Sequence, residues 1–593
     1  MTMPSPRFSE SSAHRAGLYQ ALTVFSFFLG LMLTGCGPKP LPPEVAKLVQ
    51  STVDIQPDNL PAAVRGQKER VRAWKETQAF YGKRQFQPAW SNEKGPLPQA
   101  EELLTVIDKL GSEGLDVRRY SRDRLAAQIQ QVKALKSYED PQAQRELVDL
   151  DVELTYTFLT LASHVATGRL QPETLRVDWY TKPRNVDLDV KLTQALAKEG
   201  EMEQVVRGMA PPSEDYARLR TALASYREQA TQGGWPQVPE GPTLKKGDRG
   251  VRVQALRSRL LASKDLQGAA PQAANPQTST ADLFDDALAA GVARFQARHG
   301  LDPTGAVDAD TLEALNVPLS FRISQMVANL ERWRWMPSSL GERYILVNVP
   351  EYRMDLVEGD RTALTMRVVV GKVQSQTPVF SDQMTYLELN PAWNLPSTIT
   401  RDEIVPKLAS DPGYLSRNNI QVVKGDGDEA VDPYSVDLAQ LGQNGSPYRL
   451  RQGPGADNPL GKVKFMFPNQ FDVYLHDTPA DHLFSREERD FSHGCIRLEK
   501  PVELADYLLK DDPEWTPQAI QAALATGEQK TVQLKKPLPV HILYWTAWVE
   551  KDGTVQFRKD IYGHDAALFE ALDKEPPVWL DLSAVRGEKQ AAK

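Results

Sequence analysis

Residues 471–500 read FDVYLHDTPADHLFSREERDFSHGCIRLEK, and this stretch decides how the C-terminal half of the chain is built. Phe471 to His476 alternates apolar and polar side chains as a half-buried strand does, which places His476 at the end of a rigid element. Fifteen residues then separate it from Ser492-His493-Gly494-Cys495. A cysteine nucleophile needs a thiolate, a base or ion-pair partner, and donors for the oxyanion formed when it attacks a carbonyl. Cys495 and His476 supply the first two. Gly494 permits a tight backbone bend, so that the N–H groups of Gly494 and Cys495 become candidates for the third.

On either side of this motif the chain reads as a sheet. Tyr344 to Val349, Tyr352 to Val357 and Leu364 to Val370 are short β-rich runs, with a hairpin turn at Gly359-Asp360. Strand character returns at Lys462 to Phe467, and Val540 to Arg558 reads as a terminal hairpin around Asp552-Gly553. Between them residues 398–461 are rich in Gly, Asp, Asn and Pro, too long for a plain loop, and are expected to form a lid-like insertion.

Upstream the period is helical. Leu103, Ile107 and Leu110 share one face, as do Leu147, Leu150, Leu154, Phe158 and Leu161. The aromatic group Phe80, Tyr81, Phe86 and Trp90 reads as core packing more readily than as a ligand platform. After a Gly/Pro-rich boundary at 233–242, two segments (Leu244 to Leu260, and Val292 to Leu315) resemble the small three-helix peptidoglycan-binding domain. A polar insert near 267–280 and Arg257, where that domain often has glutamine, depart from its pattern. Trp333 and Trp335, close to Arg332 and Arg334, read as cation–π packing at a domain junction.

The N-terminus speaks to compartment. Arg7 and Arg15 precede the apolar run 21–33, the length of a signal-peptide core and short for a membrane span. Leu33-Thr34-Gly35-Cys36 resembles the lipobox of bacterial lipoproteins, which implies lipidation at Cys36, a membrane anchor through that lipid, and outer-membrane sorting from Gly37. Cys36 and Cys495 are the two cysteines of the chain. With Cys36 lipidated, Cys495 has no disulfide partner, and a solitary thiol in an exported protein calls for a reason. The 593 residues carry 70 basic and 78 acidic side chains without long single-sign blocks. That balance gives no footprint for nucleic acid. No zinc-type spacing or phosphate-cradling loop occurs, so no metal or other cofactor is expected.

The fold class expected is therefore multidomain α+β: a signal peptide (1–35), a flexible tether (36–61), a mostly helical domain (62–232), a peptidoglycan-binding-like domain (243–318), a mainly β catalytic domain (343–530, insertion 398–461) and a β-hairpin extension (531–593). The arrangement of His476 and Ser492-His493-Gly494-Cys495 resembles the L,D-transpeptidase signature, and the domain order resembles the large gram-negative subgroup of that family. The resemblance implies a cysteinyl acyl-enzyme at Cys495, made from a tetrapeptide stem of peptidoglycan and resolved by the diaminopimelate amine of another stem. It implies His476 as acid and base, with the Asp477 carbonyl orienting its ring, His493 and Gly494 at the catalytic loop, and Trp393, Tyr474 and Arg497 as substrate-binding candidates. Inhibition by carbapenems follows from it too. Arg497 would meet a substrate carboxylate or pin the loop, and His493 would act directly or through structure; both pairs stay open. Three alternatives also stand: L,D-carboxypeptidase or wall-to-protein attachment at the same site, a non-catalytic wall-binding lipoprotein, and a papain-like endopeptidase using His541.

Overall fold

A computed structural model of the protein describes residues 41–60, 65, 68–175, 179–181, 184–267, 281–425, 427, 429–437, 440–443, 445–574, 578–580 and 582. The expected signal peptide and the lipidation candidate Cys36 lie outside these residues. The architecture is multidomain α+β, with separate hydrophobic cores for the helical domain, the three-helix domain, the catalytic sheet and the insertion.

The helical domain begins earlier than the sequence suggests. Helix α1 (Pro43–Val53) lies inside the expected tether and sends Val45, Val49 and Val53 into the core. Pro42 and Pro43 look like chain breakers, but a proline at the first helical position starts a helix, because its missing N–H has no partner there anyway. The long α2 (Pro141–Thr167) is capped by Asp140, whose carboxylate accepts from the N–H groups of Gln142 and Ala143. Tyr81 and Trp90 are fully buried, with Tyr81 donating to Asp151 at 2.7 Å, which makes this aromatic group core. A short strand β1 (Trp179–Tyr180) and a helix α3 (Glu214–Thr231) leave this domain to pack on the catalytic one.

Three helices, α4 (Val251–Ala262), α5 (Asp286–Arg298) and α6 (Ala309–Asn316), enclose Val253, Leu256, Leu260, Val292, Phe295 and Leu315. The motif residue Gln296 is buried and bridges Thr304, Ala306 and Thr311, so it holds the loop between α5 and α6. Helix α7 (Leu319–Arg334) then leads into the sheet. The cation–π packing expected at its end is present with other rings, Arg332 lying 5.3 Å over Tyr544 and Arg334 5.7 Å over Tyr216, rather than on the two tryptophans. Trp333 stacks on Trp545 with centroids 4.5 Å apart, Trp335 meets Trp179 edge-on, and the two arginines are ion-paired, Arg332 with Asp565 and Arg334 with Glu331.

The catalytic sheet comprises β2 (Arg343–Asn348), β3 (Arg353–Glu358), β4 (Arg361–Gly371) and β5 (Val379–Leu389) before the insertion. The insertion pairs β6 (Trp393–Asn394), β7 (Ile420–Lys424), β8 (Ala430–Val431) and β9 (Tyr448–Gln452) in the order β8-β7-β9-β6 over its own core of Leu395, Ile404, Leu408, Val422 and Leu450. After it come β10 (Val463–Met466), β11 (Leu475–His476), β12 (Asp490–Ser492), β13 (Ile496–Leu498) and β14 (Lys530–Leu543). The strand order is β10-β11-β13-β4-β3-β2-β14-β5-β1, and because β10 also pairs with β5 the sheet closes on itself.

The segment expected as an appended hairpin is thus partly interior. β14 runs parallel to β2 and antiparallel to β5, and only β15 (Ala547–Val549) with β16 (Val555–Phe557) forms a separate hairpin. Helix α8 (His564–Lys574) follows, and Val578, Leu580 and Leu582 return to the core of the helical domain. Among the described residues no helix is long and apolar enough to cross a membrane.

Candidate active site

Register brings the motif together. In the parallel pair of β11 and β13, Leu475 faces Ile496 and His476 faces Arg497, while on the other side of β11 Lys464 of β10 lies opposite His476. The imidazole therefore sits between two cations on one face of the sheet, and Cys495 immediately precedes β13. Lys464 in turn faces Glu388 across β5, at 3.7 Å. Lys464, His476, Cys495 and Arg497, with Trp393, Tyr474, Ser492 and His493, line a cleft of about 690 Å³ between the sheet and the insertion.

His476 is buried and its Nδ1 donates to the Asp477 carbonyl at 2.5 Å, leaving Nε2 as the basic nitrogen. Burial is the main cause that depresses its pKa, to about 3, and Arg497 adds to it; the carbonyls of Asp477 and Pro459 work in the opposite sense. Asp477 is itself fixed by Lys462 N–H at 2.6 Å and Thr478 N–H at 2.7 Å. Gly461 has φ +57°, and a Cβ there would stand 2.4 Å from the Asp477 carboxyl, so glycine allows β10 to start beside it.

The Cys495 thiol is pushed up by desolvation, offset in part by Tyr474, Lys464 and Arg497. The residue is partly exposed at the cleft floor, and it is the one free cysteine among the described residues. Its Sγ lies 3.8 Å from the Asp472 carbonyl, and burial together with the nearby Cys495 pushes the Tyr474 hydroxyl upward while Trp393 works in the opposite sense. Trp393 belongs to the first strand of the insertion, paired with Gln452. The insertion thus contributes Trp393 to the cleft that Tyr474 and Cys495 also line.

The catalytic loop is tied to itself. Ser492 Oγ donates to the Cys495 carbonyl at 2.5 Å and accepts from the Gly494 N–H at 3.1 Å. The expected pair of oxyanion donors is corrected accordingly: the Gly494 N–H is taken, and the Cys495 N–H is the one left without an acceptor among the described residues. Gly494 has φ +115°, which a side chain would strain.

His493 is engaged elsewhere along the cleft, with Nε2 3.0 Å from Glu403 of the insertion and 3.3 Å from Lys372. Arg497 lines the cleft, and its Nε is buried without a partner among the described residues. His541 has both ring nitrogens engaged, with Ser381 and with the Leu340 carbonyl at 2.8 Å each, and does not line the cleft, so the papain-like arrangement is not formed. Lys464 was not singled out from the sequence; a lone charge inside the apolar run Val463 to Met466 was the available signal. Among the described residues no group of three His, Cys, Asp or Glu side chains could hold a metal ion.

Residues 342–520 match the family of the L,D-transpeptidase catalytic domain. The chain carries an L,D-transpeptidase catalytic domain. Upstream of this L,D-transpeptidase domain, residues 249–315 match the family described as "Putative peptidoglycan binding domain" and residues 75–223 match a "Scaffold domain". A curated relative named "Putative L,D-transpeptidase", from Haemophilus influenzae, is 36% identical over 247 residues, 42% of this chain and 49% of that protein. The chain thus spans about half the length of that relative. Solved L,D-transpeptidases include one from Mycobacterium smegmatis (12% identity, 34% of this chain and 58% of that one, TM-score 0.15) and one from Xylanimonas cellulosilytica (14% identity, 51% and 99%, TM-score 0.17).

Proposed function

We propose that the protein is a peptidoglycan L,D-transpeptidase that works through a Cys495 acyl-enzyme and forms diaminopimelate to diaminopimelate cross-links. The observation that carries this reading is the cleft itself, which Cys495 lines together with a buried neutral histidine whose Nδ1 is held by a backbone carbonyl. With the thiol raised and the imidazole depressed, the resting pair is neutral, so the proton moves during attack. Sulfur bonds to the carbonyl carbon between the L-centre of diaminopimelate and the terminal D-alanine of a tetrapeptide stem, and its proton passes to His476 Nε2. Collapse of the tetrahedral intermediate breaks the C–N bond, and His476 returns the proton to the departing D-alanine amine. The side-chain amine of diaminopimelate on a second stem then attacks the thioester, His476 takes its proton, and the thiol is regenerated.

Arg497 and Lys464 are the cations available to the carboxylates of the donor stem, and the three-helix domain would hold the enzyme to the wall. Attachment to the periplasmic side of the outer membrane through lipid at Cys36 belongs to the same proposal; palmitate labelling that is unchanged in Cys36→Ala would remove it.

Intact-mass measurement after incubation with a carbapenem tests the acyl-enzyme. Wild type is expected to gain one drug mass and Cys495→Ala none, and an unmodified wild type would overturn the reading. Muropeptide profiles of cells lacking the protein should show fewer cross-linked dimers; unchanged dimers with a shifted tetrapeptide to tripeptide ratio would favour hydrolysis instead.

A further inference from the structure

The peptide bond between Gly494 and Cys495 carries both the Gly494 carbonyl and the N–H that remains free on Cys495. In a trans peptide these two groups point in opposite directions. The Gly494 carbonyl accepts from Thr377 Oγ1 at 2.8 Å, and Thr377 is fully buried. The carbonyl is therefore held toward the interior, and the N–H of the same plane faces the cleft that Cys495 lines.

Thr377 is fixed in its turn. Its Oγ1 accepts from the Gly371 N–H at 2.9 Å, and its own N–H donates to the Tyr562 hydroxyl at 3.2 Å. Tyr562 donates to the Gly371 carbonyl and is itself buried. A side chain at Gly371 would meet the Ser375 carbonyl at 2.1 Å, so the turn that presents Thr377 admits no bulk. Tyr562 lies beyond the 342–520 match, in the C-terminal segment that packs under the catalytic loop.

The geometry points to Thr377, braced by Tyr562, as the residue that positions the oxyanion donor. Its hydroxyl fixes the plane of the Gly494–Cys495 peptide, aims the Cys495 N–H at the oxygen of the acyl donor, and polarises that N–H through the shared amide. Thr377 touches neither substrate nor thiol and is a positioning residue. The inference rests on the acyl-transfer reading of Cys495, because an oxyanion arises only when the thiolate adds to a carbonyl and the π electrons move to oxygen.

Two rates measured on the full chain separate this role from a general one. Acylation by a carbapenem needs an oxyanion donor, whereas alkylation of Cys495 by iodoacetamide, in which sulfur displaces iodide, does not. Thr377→Val is expected to lower the acylation rate about 10-fold or more, below or near the loss of a whole donor, while alkylation stays within about threefold of wild type. Thr377→Ser, which keeps the hydroxyl, should recover acylation to within about fivefold, and Tyr562→Phe should lower acylation selectively by a smaller factor. Tyr562→Phe also carries the test if Thr377→Val does not fold. Acylation unchanged in Thr377→Val, acylation and alkylation falling together, or Thr377→Ser losing as much as Thr377→Val would overturn the inference. A wild type that alkylates but is never acylated would instead overturn the acyl-transfer reading beneath it.

Discussion

At the scale of single residues, the site is organised around a histidine kept neutral by its surroundings. His476 is buried between Lys464 and Arg497, and its pKa falls from the ordinary 6.5 to about 3. Between those values the unfolded chain binds a proton that the native one refuses, so stability rises with pH through this window, is complete above about 6.5 and declines as pH falls toward 3. The thiol moves the other way, upward. The rate of Cys495 alkylation by iodoacetamide should therefore keep climbing past the ordinary thiol range, above about pH 8.5, with no plateau in acid. An inflection below pH 7 would mean a resting thiolate–imidazolium pair and contradict the neutral ground state. Much of this was legible beforehand, because the spacing from His476 to Cys495 and the strand pattern before it are local. Thr377 was not, since its contact is to a backbone carbonyl of another segment, and nothing in the residue type announces that. The fate of the Gly494 N–H was hidden for the same reason: it depends on the rotamer of Ser492.

At the scale of elements, the insertion is a folded subdomain whose two arms are joined by the β6–β9 pairing and by a buried side-chain clasp. Asn458 is buried where the arms meet; its amide donates to the Pro391 and Gly453 carbonyls at 2.9 and 3.1 Å and accepts from the Leu460 N–H at 2.9 Å. Asn458→Ala leaves those groups unpaired and should cost about 1–3 kcal/mol. Limited proteolysis checks it: cleavage within 397–457 should quicken relative to the rest of the chain, and equal cleavage would remove the clasp. The turn-rich composition of 398–461 made the interruption of the sheet visible, but not its strands, because β6, β7 and β9 pair across 24 to 59 residues with little alternation of their own. Helix α1 was missed for a simpler cause, the double meaning of proline as a breaker and as a first helical residue.

At the scale of the molecule, the helical and catalytic parts are locked together by buried charge. Glu331 of α7 accepts from the backbone N–H groups of Arg169 and Leu170 and pairs with Arg334 at 3.0 Å, and Arg334 reaches Tyr216 of α3 at 3.0 Å. Glu331→Ala removes the carboxylate paired with the buried Arg334, which keeps the Glu113 carbonyl and the Tyr216 hydroxyl, and should cost about 3 kcal/mol, read as a lower urea midpoint by tryptophan fluorescence. A midpoint unchanged within about 0.5 kcal/mol would show that this junction bears no such charge. The order of domains could be read from motifs, whereas their interlocking could not, since β1 crosses from one domain to the other and the C-terminal residues cross back. The place of β14 carries a further consequence, for the order of synthesis. It fills the gap between β2 and β5, yet it is among the last strands to leave the ribosome. Until Leu543 is made, two facing strands remain as open edges, the kind of surface that pairs with a neighbouring chain. The wait spans nearly two hundred residues of nascent chain and ends with a long-range parallel pairing, a slow step in assembly. The contact from Tyr562 to Thr377 comes later still, so a truncated product carries Cys495 without the segment that packs under its loop.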